Sequence, residues 1–301
     1  MVTGATLDKL RFAFGTRLLI NEPMANHTSW RIGGPAQYLI EPNNVEELRS
    51  AIVLAKELGL ELTIIGNGTN LLVKDSGLPG LVIKLGHGLN QIAVAGNIIT
   101  AGAGAMLPVV ARTAMQNGLA GLAWSAGIPG SVGGALVMNA GANGSSISKI
   151  TKTVKVMDGS GGVVELTKEQ LSFGYRTSAL QHSDFIVLEA TFVCQHGSKE
   201  QIKKEMDEYI AKRKAVQPQG YPNAGSVFKN PQGAAAGKLI EEAGCKGMKR
   251  GNALVSPIHA NWIVNLGGAS AEDVLYLIDA IREKVKEKFN VSLQLEVRVL
   301  G

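Results

Sequence analysis

The densest run of chemistry-bearing side chains is Asn223-Ala224-Gly225-Ser226-Val227-Phe228-Lys229-Asn230-Pro231. Ser226 follows a glycine in a turn, which leaves its hydroxyl accessible. Lys229 adds a cation able to hold a phosphate or to lower the proton affinity of a neighbour. A hydrolase elbow, Gly-x-Ser-x-Gly, does not fit, because Ala224 and Phe228 stand where its glycines belong. The same residues also read as a polar turn between two elements. A second candidate lies near the C-terminus. Val291, Leu293, Leu295, Val297 and Val299 alternate with Ser292, Gln294, Glu296 and Arg298. Period two puts the polar set on one face. Glu296 and Arg298 are then about 7 Å apart along it, at roughly 3.4 Å per residue. From periodicity alone that face reads as the solvated side of an edge strand. Tyr175-Arg176 lies in a polar turn, Phe173 to Ser178. His259 reads as a satisfied structural histidine rather than a base. No His/Cys/Asp/Glu spacing suggests a metal.

Two stretches offer backbone rather than side chains. A short strand, Leu62 to Ile65, runs into Gly66-Asn67-Gly68-Thr69-Asn70-Leu71. Consecutive amides in such a turn form an anion nest, suited to phosphate. It is not a Rossmann fingerprint, since Leu71 replaces the third glycine. The nearest P-loop match, Gly233 to Leu239, is one residue short and ends on Leu239 where a hydroxyl belongs. The second stretch is Gly121 to Gly144, rich in glycine, inside a segment with no charged residue between Arg112 and Lys149. Glycine is costly in conformational entropy, so its repetition points to backbone running close to a ligand. Pro129, Asn139 and Asn143 argue against a membrane span. A plain surface loop is opposed by Leu136, Val137 and Met138, which suggest packing. Together the two stretches point to a dinucleotide.

Composition narrows the class. The chain has 301 residues, 45% hydrophobic, with a net charge of +5. That suits anionic small molecules and no nucleic acid, because no basic run is interleaved with aromatics. Cys194 and Cys245 are the two cysteines, and they form no CxxC. They read as reduced, buried thiols of a cytosolic protein. The N-terminus, MVTGATLDKLRFAF, reads as a short amphipathic helix without a secretion signal.

The positioning elements follow from periodicity and caps. Asn44 caps a helix whose buried stripe is Val45, Leu48, Ile52 and Ala55, ended by Gly59. Leu81 to Leu85 is a strand, and Gln91 to Ala101 a hairpin turning at Gly96-Asn97. A helix runs from about Leu107 to Asn117. Thr151 to Asp158 and Gly162 to Leu166 form a second hairpin, and Phe185 to Cys194 is a strand. Ser198 with Gln201 makes a capping box for a basic helix to about Ala215. Gln217 to Pro231 is rich in Pro, Gly and Asn and marks the approach to a second domain. Beyond it come helices Ala235 to Ala243 and Ser270 to Phe289, strands Leu254 to Val255 and Trp262 to Leu266, and a last strand, Val291 to Val299.

Seven segments in order resemble the UDP-N-acetylenolpyruvoylglucosamine reductase family: TSWRIGGPA, IIGNGTNLLVKD, AGIPGSVGGALVMNAGA, FGYRTS, NAGSVFKNP, HANWIVN and LEVRVLG. The resemblance covers about Asn26 to Gly301. Thr69 where serine is common, and Trp30 where a smaller aromatic is usual, are mild departures. The resemblance implies an α+β fold. A vanillyl-alcohol-oxidase (PCMH)-type FAD-binding domain in two subdomains would occupy 1–196 with its core at about 26–196, and a smaller α+β substrate domain 197–301. It implies non-covalent FAD, contacted by Ile65, Gly66, Asn67, Gly68, Thr69, Asn70, Leu71, Ala126, Gly127, Ile128, Pro129, Gly130, Ser131, Gly133, Gly134, Asn139 and Gly141. Arg176, Ser226 and Glu296 would be catalytic. Tyr175, Arg213, Lys229, Asn230 and Arg298 would bind substrate. The short chain between Tyr175 and Ser226 resembles the family's second type, which lacks a tyrosine loop over the substrate.

The implied activity is reduction of UDP-N-acetylglucosamine enolpyruvate to UDP-N-acetylmuramate by NADPH, for peptidoglycan synthesis. The implied setting is a cytoplasmic monomer without membrane or nucleic-acid partners. Two other readings share the glycine loops: an alcohol or sugar oxidase on the same scaffold, and a non-catalytic flavin or nucleotide-binding module.

Overall fold

The computed structural model describes residues 4–301. The chain divides into two compact units that interleave in sequence. The first comprises residues up to Ile20, Tyr38–Asn67 and Gly80–Lys212; the second comprises Asn21–Gln37, Gly68–Pro79 and Arg213–Gly301. This spatial grouping cuts the chain differently from a sequential division at 196/197. A chain that passes repeatedly between two cores leaves no composition shift at the early crossings.

In the first unit the helix Val45–Glu57 starts where expected. The Asn44 side chain accepts from the Glu47 amide, and Leu48, Ala51, Ile52 and Ala55 are buried. Strand Leu62–Ile65 pairs in parallel with Leu78–Lys84, with Leu62 opposite Leu81. That second strand begins three residues before the expected Leu81 and includes Gly80, whose φ of +73° a side chain would disfavour. These two, with Pro35–Ile40 and Leu19–Pro23, form a four-stranded sheet. A five-stranded antiparallel sheet orders Val163–Thr167, Thr151–Met157, Ile186–Val193, Ile98–Gly102 and Ile92–Ala95. Both expected hairpins are in it. The helix Leu107–Gln116 stops before Gly118, at φ +65°. The helix Gly4–Phe14 buries Leu10 and Phe14; Met1 to Thr3 of the expected N-terminal helix lie outside the described residues. The cap of Lys199–Val216 differs from the expected reciprocal box. Ser198 Oγ accepts from the Gln201 amide at 3.3 Å and donates to the Glu200 carboxylate at 2.7 Å.

The second unit is built on the helix Ala271–Phe289, whose Val274, Leu277, Ile278, Ile281 and Val285 enter a core with Trp30, Leu72, Val227 and Phe228. A three-stranded antiparallel sheet, Lys249–Arg250, Ala253–Val255 and Ile263–Asn265, belongs to the same unit. Arg298–Leu300 pairs in parallel with Leu71–Val73. The expected strand Val291–Val299 is therefore regular only at its end, with one isolated bridge, Phe228 to Leu295, before it. The reason is a change of partner. Residues 294–296 bond to Val227 and Lys229, whereas Arg298 onward bonds to Asn70 and the strand after it. The alternation itself holds, since Leu293 and Val297 are buried while Ser292, Gln294 and Arg298 are exposed.

The long helix has two caps at its N-terminus. Ser270 and Asp273 form the expected reciprocal box. The Asp75 carboxylate also accepts from the amides of Ala271 at 2.9 Å and Glu272 at 3.0 Å. A carboxylate here satisfies amides that have no partner in the first turn and complements the helix dipole. Asp75→Ala is expected to lower stability by about 1–2 kcal/mol. Thermal unfolding should show Asp75→Asn intermediate between it and the parent chain. Equal midpoints for all three proteins would remove this cap from the account.

Candidate active site

Gly66 and Asn67, which open the nest, lie against the glycine-rich stretch within the first unit. Asn67 Nδ2 donates to the Pro129 carbonyl at 2.9 Å. A Cβ on Gly66 would collide with Ser131 Oγ, so the Ser131 side chain lies against the Gly66 backbone. The stretch is packed, as expected, but it also contains a short helix that glycine content hides: Val132–Val137, with the Ser131 side chain accepting from the Gly134 amide. Leu136 is fully buried within it. Among the described residues the amides of Asn67, Gly68, Thr69 and Asn70 donate to no protein acceptor. A row of amides without protein acceptors on a Gly-x-Gly turn fits the pyrophosphate of a dinucleotide. Neither stretch holds a histidine or cysteine for a covalent link.

Gly68 has a second reason to be glycine. It is buried at φ +65°, and a Cβ there would collide with the His27 carbonyl. Ser29 donates its amide to the Gly68 carbonyl at 3.1 Å. Loss of flavin on substituting Gly68 would therefore not by itself isolate the nest, because the protein's own backbone fills that side.

Asn139 and Gly141, expected to line a flavin, hold the Arg176 turn. Asn139 Nδ2 donates to the Gly174 carbonyl at 2.7 Å, and Arg176 Nη2 donates to the Gly141 carbonyl at 3.1 Å. The turn closes on itself through Gly174 and Thr177, and Gln181 Nε2 donates to the Arg176 carbonyl. Arg176 sits at φ +55° and Asn139 at φ +42°. Left-handed backbone at a non-glycine is costly and persists where neighbours over-determine it. The Arg176 guanidinium also lies 5.3 Å from the centre of the exposed Tyr175 ring. Ile65, Ala126, Gly127, Ile128, Gly130, Gly133 and Gly134 belong to this unit as well, while Gly68, Thr69 and Asn70 belong to the second, where Leu71 opens a strand.

The second unit brings Ser226 and Glu296 together through main chain. Gly225, at φ +77°, sets the turn, and its amide donates to Asn223 Oδ1. Ser226 is half-buried. The next residue, Val227, accepts from the Glu296 amide at 2.8 Å, and Lys229 donates its amide to the Gln294 carbonyl. Glu296 is half-buried rather than on the solvated face that periodicity alone gives, and Arg298 is exposed. Asn230 Oδ1 accepts from the Ala236 amide at 2.9 Å. Arg213 stacks 5.9 Å from the Trp262 ring centre, and burial lowers its proton affinity. The buried Trp262 Nε1 has no hydrogen-bond partner among the described residues.

Sequence reasoning missed Asn261. Its Nδ2 donates to the Phe228 carbonyl, its Oδ1 accepts from the Phe228 amide, and its own carbonyl accepts from Val227. It clamps the turn that carries Ser226, and an asparagine between apolar residues in HANWIVN was the available signal. His259 is structural, as expected, since its Nδ1 accepts from the Asn261 amide. Burial, then Lys246, hold its pKa below the usual imidazole value. Both cysteines are free and buried, and burial pushes Cys194 up to about 11. Among the described residues no cluster suits a metal, and no helix is long and apolar enough to cross a membrane.

Comparison with known proteins fits this arrangement. The FAD binding domain family matches residues 36–167, and the family described as UDP-N-acetylenolpyruvoylglucosamine reductase, C-terminal domain, matches 217–300. The reductase of that name from Desulforamulus reducens is 53% identical over 285 residues, 94% of this chain and 93% of the relative. Its namesake from Carboxydothermus hydrogenoformans is 46% identical, covering 98% of this chain and 97% of the relative. The crystal structure of the Thermus caldophilus reductase superposes with TM-score 0.81 at 37% identity, covering 93% of this chain and 97% of that one. A glucooligosaccharide oxidase from Acremonium strictum superposes with TM-score 0.51 at 14% identity, over 98% of this chain and 60% of that one, a likeness of fold alone. The fold is the α+β class expected, with a PCMH-type FAD-binding domain.

Two outcomes are expected from these local arrangements. Gly225→Ala meets open space and should cost about 1–2 kcal/mol for the left-handed backbone. Gly68→Ala adds a collision with backbone and should cost more, with or without flavin; urea unfolding of the two variants checks the order. A histidine with a depressed native pKa contributes stability above its unfolded value of about 6.5 that is lost as pH falls. His259→Gln should therefore flatten the fall in thermal midpoint between about pH 7.5 and 5.

Proposed function

The chain belongs to the UDP-N-acetylenolpyruvoylglucosamine reductase family, and we propose that it performs that family's reaction. It reduces UDP-N-acetylglucosamine enolpyruvate to UDP-N-acetylmuramate with NADPH and FAD, a step of peptidoglycan precursor synthesis. The observation that carries this is the coexistence of the nest with the Arg176, Ser226 and Glu296 set in one chain. An oxidase on the same scaffold needs only the glycine loops, and a binding module needs no acid.

Residues 1–196 are assigned to FAD and 197–301 to the substrate, which the two family matches at 36–167 and 217–300 support. Gly66 to Leu71, with Ala126 to Ser131, Gly133, Gly134, Asn139 and Gly141, would hold the FAD. When bound it supplies hydride, received from NADPH, to the terminal alkene carbon of the substrate. The protein's own groups manage the charge and the proton. Negative charge moves into the substrate carboxylate as an enolate. Arg176, and Glu296 in its protonated form, donate hydrogen bonds to that charge from fixed positions. Ser226 Oγ then delivers a proton to the carbon bearing the carboxylate. A serine hydroxyl is a weak acid, but an enolate carbon is a strong base, and the Lys229 cation favours the alkoxide left behind. Tyr175, Arg213, Lys229, Asn230 and Arg298 are assigned to substrate binding. We assign the protein to the cytoplasm as a monomer.

The purified protein should be yellow, and acid precipitation should leave its flavin in solution. Stopped-flow measurement separates the two halves of the reaction. Ser226→Ala should leave flavin reduction by NADPH near normal and slow reoxidation by the enolpyruvyl ether about 10²–10⁴-fold. Glu296→Gln should behave similarly, whereas Arg298→Ala should act mainly on KM. Reoxidation by oxygen alone would favour the oxidase, and no reduction at all the binding module.

A further inference from the structure

The residue Asn70 belongs by sequence to the cofactor nest, yet its polar groups are directed elsewhere. Its Nδ2 donates to the Glu296 carbonyl at 3.0 Å, and its own carbonyl accepts from the Arg298 amide at 2.9 Å. On the other side of the same residue, the Glu296 amide donates to the Val227 carbonyl at 2.8 Å. Both peptide groups flanking the Glu296 side chain are therefore tied, one to the Ser226 turn and one to Asn70. Fixing both peptide planes fixes φ and ψ, and with them the direction in which the carboxyl leaves the chain. The tie to Asn70 matters more than a ladder bond would, because regular pairing begins only at Arg298. Glu296 lies between the isolated bridge at Leu295 and that strand, outside regular pairing.

We infer that Asn70 is a positioning residue for Glu296, setting the direction of its carboxyl through the main chain. The inference rests on the reading of Glu296 as a catalytic group. It also gives the nest a second task. The Asn70 amide donates to no acceptor among the described residues and is left for an anionic group, while its side chain holds the Glu296 carbonyl and its own carbonyl holds the Arg298 amide. Occupation of the nest by the pyrophosphate and order in 296–298 are thereby linked, and such linkage is reciprocal.

Asn70→Ala removes the side-chain tie and keeps the backbone amide. A misplacement of about 1 Å at a reacting group costs on the order of 10²-fold. Reoxidation by the enolpyruvyl ether should fall about 10–100-fold in Asn70→Ala, clearly more than flavin reduction by NADPH falls. The decisive measurement is the double variant with Glu296→Gln. If Asn70 acts through Glu296, its loss should cost less than about 3-fold once the carboxyl is gone. Amide hydrogen exchange supplies a readout apart from turnover. FAD should protect 296–298 in the parent chain and protect it less in Asn70→Ala. Equal slowing of both half-reactions in Asn70→Ala, or effects that multiply in the double variant, would overturn the inference by showing a merely structural role. A slow Glu296→Gln with a normal Asn70→Ala would overturn it alone. A normal Glu296→Gln would overturn the catalytic reading of Glu296 and the inference together.

Discussion

The peptide on either side of Glu296 is the point on which the second unit's chemistry depends. Three segments far apart in sequence meet there: the end of the nest, the turn after Ser226 and the C-terminal segment. Each sends apolar side chains into one core, with Leu72, Val227, Phe228, Leu293 and Val297 all buried. Main-chain bonds then join the segments above that core. With apolar neighbours committed inward, alternation along the chain directs Glu296 to the opposite side. The carboxyl is aimed by packing and backbone bonding.

The first unit uses a different device at Arg176. Two non-glycine residues, Asn139 and Arg176, hold left-handed backbone in segments that bond to one another. Either conformation alone would relax. Together with Gln181, and with Ser178 Oγ donating to the Val137 carbonyl, they are fixed by the neighbouring segment. The guanidinium is consequently presented from a rigid turn, which favours preorganised stabilisation of charge over flexible capture.

Local elements were legible because their causes are local. Asn44 and Ser270 announce helices by the amides they can accept from, and Gly59 and Gly118 end helices by adopting positive φ. The hairpin at Gly96-Asn97 and the strand Ile186–Val193 follow from alternation and turn residues. Where causes were distant, the reading failed in particular ways. Val291 to Val299 alternates as a strand does, but its partners change at Glu296, and regular pairing needs one partner throughout. The helix Val132–Val137 was hidden by glycines whose low propensity is overridden by packing, Gly133 lying against Ala103.

The sequence by itself determined the chemistry available. A Gly-x-Gly turn after a strand, a serine after a glycine with a lysine three residues on, and an acid alternating with an arginine are properties of type and spacing. Ordered motifs over nearly the whole chain then identified the family. The tertiary structure alone decided which groups support which. The interleaving of the units, the collision that reserves Gly68 against the His27 carbonyl, the Asn261 clamp on Phe228 and the tie from Asn70 to Glu296 all join residues tens to hundreds of positions apart. Such pairings depend on the closing of long loops around a shared core. One sequence read along its length carries the residues but not the distances between them.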